Sequence, residues 1–94
     1  MQHEISIEEQ WRRKLFNEGF DHIFIWRDAP NVTYTDHAHP FTSCHVILDG
    51  EMTVVTEAEG KILKPGDRMD VPRGILHSSK MGTNGCRYMI AEKL

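Results

Sequence analysis

From Phe20 onward the chain consists of short runs of β-branched and aromatic residues, broken every six to ten positions by turn signals. Phe20–Arg27 reads as one strand and Asp28–Asn31 as a turn; Val32–His39 reads as a second strand, ended by Pro40. Ser43–Leu48 and Met52–Thr56 flank Asp49-Gly50, a hairpin signal, because both central positions of a type I′ turn require positive φ. Glu57–Gly60, Lys64–Asp67, Pro72–Gly74 and Met81–Gly85 are further turns, with strands near 61–63, 68–71, 75–80 and 86–92. About eight short strands with no long helix between them cannot form a parallel sheet, since each parallel crossover needs about a dozen residues or more. The pattern predicts an all-β domain, an antiparallel sandwich or small barrel.

Ahead of this region, Ser6-Ile7-Glu8-Glu9 has the form of a capping box, and Ile7, Trp11 and Leu15 recur every four residues as one apolar stripe. A helix over about residues 7–18 follows, with Gly19 placed to end it in the left-handed conformation. Its stripe needs a surface to cover it, either the outside of a sheet or a partner subunit. That need, together with the open edges of a small sheet, predicts a homodimer.

Ninety-four residues support one modest core, so residues 1–94 are expected to form a single domain. Eleven basic against 14 acidic residues, with no basic stripe, argue against a nucleic-acid partner. No window approaches the ~20 apolar residues of a membrane span, and the N-terminus lacks a signal-like apolar run; a cytoplasmic location is the expectation. Cys44 and Cys86 lack the spacing of a zinc or redox pair and read as partly buried free thiols.

Histidine carries the chemistry. Of six in the chain, His37, His39 and His45 fall within nine positions and His77 stands downstream. On a strand, His37 and His39 point to one face, so both imidazoles can enter one cavity. His45 and Ser43 share a strand face, which leaves His45 either a fourth nitrogen or a core histidine one layer deeper. His3 and His22 have no such context and read as structural or surface residues. By alternation, Phe24, Trp26, Tyr34, Met52, Met69 and Tyr88 are candidates to line the cavity, and Arg27, Arg68, Arg73 and Arg87 are candidates to meet an anionic substrate.

With these residues in place the chain resembles the cupin superfamily over about residues 32–92. His37-Ala38-His39 followed by Gly50 is similar to the first cupin motif, and the second is matched from Gly66 through Pro72, Gly74 and His77. The resemblance implies a double-stranded β-helix, or jelly-roll, barrel and a divalent first-row metal ion on His37, His39 and His77; strand alternation, not the resemblance, adds His45 as the candidate fourth metal ligand. Imidazoles accept Fe, Mn, Ni, Co, Cu or Zn, so the ligand type does not name the ion. Two departures stand out: the slot usually filled by glutamate falls on Ser43, and the final asparagine of the second motif is Met81. The leading expectation is a metal-dependent enzyme acting on a small oxygen-containing metabolite, of dioxygenase or isomerase type. The rivals are a non-catalytic sensor or binding module for a small ligand, and a metal-free pocket.

Overall fold

Two long strands organise the molecule. In a computed structural model describing residues 4–94, β3 (Thr42–Thr56) runs antiparallel to β6 (His77–Lys93) along nearly its whole length, from Thr42 opposite Lys93 to Thr56 opposite His77. The remaining strands attach to the two halves of this ribbon. β1 (His22–Asp28) pairs with the C-terminal half of β6, and β5 (Arg68–Val71) with the N-terminal half of β3. β2 (Thr33–His37) pairs with the N-terminal half of β6, and β4 (Gly60–Leu63) with the C-terminal half of β3. Two four-stranded layers result, ordered β1-β6-β3-β5 and β2-β6-β3-β4. This is the expected jelly-roll arrangement.

The ribbon corrects two turn expectations. Asp49-Gly50 does not close a hairpin, because residues on both sides of it pair with the same partner strand: Asp49 with Arg87, and Met52 with Met81. It is a corner at which β3 passes from one layer to the other. Between the pairs Gly50–Cys86 and Met52–Met81, one residue of β3 stands against the four residues 82–85 of β6, so the expected turn at Met81–Gly85 is a wide bulge inside one strand. Among the described residues eight strand segments are present, joined into six strands because β3 and β6 each supply two. Gly50 has φ +80° and a methyl group there would stand 2.2 Å from the Gly85 carbonyl oxygen, so the corner admits glycine for space as well as for conformation.

The helix α1 (Ile7–Asn17) begins as expected: the Ser6 side chain accepts a hydrogen bond from the Glu9 amide at 3.1 Å, and Gly19 follows the last turn at φ +99°. Leu15 is fully buried with Phe20, Cys44, Val46, Met89 and Ala91, and Trp11 packs against them. These β3 and β6 residues alternate with those facing the barrel interior, so the helix covers the outside of the β1-β6-β3-β5 layer. Ile7 departs from the stripe and is exposed. A second cluster, including Ile47, Met52, Val54, Leu63, Met69, Val71, Met81 and Tyr88, fills the space between the layers. Arg68 bridges Glu18 after the helix and Asp70 on its own strand, at 2.7 and 2.8 Å, fastening the helix end to β5. Cys44 and Cys86 are buried free thiols, fully rather than partly so.

Candidate metal centre

His37 and His77 are direct cross-strand neighbours on β2 and β6, forty residues apart in sequence. His39 lies just past the end of β2, and the Gly74 amide donates to its carbonyl at 2.9 Å. The Pro72–Gly74 turn therefore braces the segment carrying His39 as well as delivering His77. The ring centroids lie 4.8 Å (37–39), 4.2 Å (37–77) and 5.3 Å (39–77) apart. Ligand nitrogens from all three fall within 4.8 Å of one another.

Two of the rings are oriented by their own backbone. His37 Nδ1 donates to the Thr35 carbonyl at 2.6 Å, and His77 Nδ1 to the Ile75 carbonyl at 3.0 Å. A proton on Nδ1 leaves the Nε2 lone pair free, the form that a metal ion needs. His39 is held by stacking on Phe41, with centroids 4.7 Å apart and planes 13° from parallel. Its pKa is lowered by burial and by the neighbouring His37 and His77, which again favours a neutral ring. Three imidazoles converging on one point fit a divalent first-row ion.

The three histidines open onto a cavity of about 450 Å³ between the layers, which His45 also lines. His45 does not join the cluster of three. It is one row deeper, opposite Met69 and Ile90, with its ring 6.1 Å from Tyr88. Burial, reinforced by the other histidines, pushes its pKa down to about 4, and its Nδ1 has no hydrogen-bond partner. Ser43 Oγ, two residues earlier on the same face, is likewise buried without a partner. His22 is exposed at the start of β1, and His3 lies outside the described residues.

Of the expected lining residues, Phe24, Trp26, Tyr34, Met52 and Tyr88 face the cavity. Met69 packs in the core instead. None of the four arginines lines it: Arg68 serves the helix latch, Arg27 pairs with Asp49, Arg87 pairs with Glu8, and Arg73 is exposed. The residue that sequence reasoning missed is Asp28, read as part of a turn. Its buried carboxylate accepts hydrogen bonds from Trp26 Nε1 (3.1 Å), Tyr34 Oη (2.9 Å) and Tyr88 Oη (2.8 Å). The available signal was alternation, since Asp28 is two residues beyond Trp26 and four beyond Phe24. Burial, followed by the Asp28 hydrogen bonds and charge, raises the pKa of both phenols, so they remain protonated donors to it.

No protein-family model and no curated protein sequence matches the chain. Solved structures do. A cupin superfamily protein from Desulfitobacterium hafniense aligns with a TM-score of 0.66 at 19% identity, over 77% of this chain and 66% of that one. The chain has the cupin fold. Other structures similar to this chain are the DMSP lyase DddQ from Ruegeria pomeroyi (TM-score 0.70, 22% identity, 77% of this chain and 37% of that one) and the polyketide cyclase RemF from Streptomyces resistomycificus (0.67, 23%, 79% and 55%). The chain thus spans between about a third and two thirds of the length of these three proteins.

Proposed function

We propose that this cupin is a metal-dependent enzyme for a small, oxygen-bearing metabolite, with His37, His39 and His77 holding one divalent first-row ion. The observation that carries the reading is the convergence of three imidazole nitrogens at a cavity with room for a ligand. When bound, the ion would supply Lewis acidity to a substrate oxygen or, if redox-active, an oxygen-activating centre. The protein's own part is to hold and enclose. Phe24, Trp26 and Ile90 give the cavity apolar walls, while Tyr34 and Tyr88, clamped on Asp28, offer hydroxyl oxygens as acceptors. No lysine or arginine lines the cavity, so the part of a ligand remote from the histidines has no cation to pair with. That favours a substrate uncharged at its far end. The lyase and the cyclase among its structural neighbours support an enzymatic use of the fold, of which dioxygenase or isomerase chemistry is the form proposed.

His45 enters this reading as a fourth nitrogen or as a hydrogen-bonding group for the substrate, and its unpartnered Nδ1 suits either role. The second reading is a non-catalytic binding module that uses the same cavity. It is favoured by Asp28, whose carboxylate already accepts three hydrogen bonds and is not free to act as a base. Metal analysis of tag-free protein should find one ion per chain, and its absence would leave a metal-free pocket. Metal should fall together in His37→Ala, His39→Ala and His77→Ala, and a variant that kept full affinity would remove that residue from the set. In His45→Ala, a comparable loss assigns a ligand; unchanged metal affinity with weaker binding of a chelating probe such as benzohydroxamate assigns a substrate contact.

A further inference from the structure

Imidazole ligands carry no negative charge, so a divalent ion on these three would keep both charges uncompensated in a half-buried site, and the sequence places no carboxylate beside them on β3. Ser43 occupies the first inward position of that strand. It is 1% exposed, its Oγ has no partner, and its side chain is too short to reach far. The residue directly across from it on β6 is Glu92. Tyr88 and Ile90 both line the cavity, so strand alternation directs Glu92 to the same interior face. Directly opposed side chains of an antiparallel pair have Cβ atoms about 4.5–5.5 Å apart, so Glu92 and Ser43 share one end of the barrel. His22, the neighbour of Glu92 on its other side, is exposed.

Glu92 is half-buried and, unlike Glu8, Glu9 and Glu18, forms no ion pair with any described residue. Ile90, two residues before it on the same face, lines the cavity onto which the three histidines open. A glutamate side chain with three rotatable bonds, starting from the register position opposite an unpartnered serine, can lean across that serine toward the ion.

We propose that Glu92 supplies the negative charge of the metal centre from across the β3–β6 pair, taking the part that residue 43 leaves vacant. The inference rests on the metal reading above. Glu92 either binds the ion or accepts a hydrogen bond from a water on it, and in both cases the carboxylate stabilises the bound cation more than the free one.

The test is a set of metal titrations with Co(II) and Zn(II) against a competing chromophoric chelator, with thermal unfolding of each metal-free variant as a check on folding. Glu92→Gln should weaken metal binding 10- to 100-fold, the range seen for partners of metal ligands. Glu92→Lys should weaken it further, while Glu92→Asp should retain most of it. Ser43→Glu combined with Glu92→Gln should regain affinity to within a few-fold of the starting protein, a rescue that a merely structural role for Glu92 would not give. If the double variant does not fold, the series Asp, Gln and Lys at position 92 still decides. Glu92→Gln and Glu92→Lys binding as tightly as the starting protein, with His77→Ala still inactive in binding, would overturn the role of Glu92 and leave the histidine site intact. A starting protein that binds neither ion would overturn both.

Discussion

At the residue scale, the histidines divide by what their rings touch. His37 and His77 donate hydrogen bonds from Nδ1 to backbone carbonyls, which leaves Nε2 turned to the cavity side of the ring, whereas His45 is neutral because water is excluded from it. The second condition has a consequence for stability. An unfolded chain takes up a proton at His45 near pH 6.5, but the folded chain refuses it until about pH 4. The unfolded state therefore binds more protons between these values. The contribution is fully present above pH 6.5 and is lost as pH falls, amounting to about 3 kcal/mol across the window. Urea unfolding of metal-free protein at pH 7 and pH 4.5 should show this decline, and His45→Gln should flatten it. An equally steep decline in the variant would assign it to other groups.

At the scale of elements, the β3–β6 ribbon places the site, because its N-terminal and C-terminal halves belong to different layers and the histidines sit where those layers face each other. The corner at Gly50 makes this possible. A Cβ there meets the Gly85 carbonyl at 2.2 Å, and one at Gly85 meets the Asp28 carbonyl at 2.6 Å, so the three backbones pack in direct contact. Gly50→Ala should cost roughly 2–4 kcal/mol, from forced backbone movement together with an unfavourable positive φ. Differential scanning calorimetry should record a fall of about 8 °C or more, on the order of 4–8 °C per kcal/mol for a domain of this size. Gly66→Ala is the control: it shares a positive φ but has open space around it, so the loss there should be smaller.

On the scale of the whole molecule, the helix that motivated a homodimer already has its partner within the chain. Leu15 is fully buried against β3 and β6, and Trp11 lies beside it. The buried stripe therefore needs no second copy to cover it. Edge strand β4 leaves Ile62 60% exposed, and Val55, which pairs with Gly60 of that strand, is also exposed. We propose that the homodimer, if light scattering at tens of micromolar finds one, is sensitive to Ile62→Lys and insensitive to Ile7→Lys. The opposite sensitivity would return the interface to the helix. No described helix is long and apolar enough to cross a membrane.

Much of this was legible in the sequence because it depends on local rules. Alternation, turn residues and the Ser6 cap are short-range signals, and they located the helix, most strands and the shared face of His37 and His39. The cupin resemblance joined His77 to His37 and His39, which local rules alone do not do. What the sequence could not decide is which strands pair. Asp49-Gly50 carries the same two residues whether it reverses a strand or bends it, because both outcomes need positive φ at Gly50. Only pairing of Asp49 and Met52 with the same strand β6 shows that the chain continues. The same pairing brings Glu92 opposite Ser43, forty-nine positions away, and folds Tyr34 and Tyr88 onto Asp28. These contacts are set by sheet register, which follows from how the whole apolar pattern of one strand is buried against another. A residue's type states what it can do chemically; register decides which partner it meets.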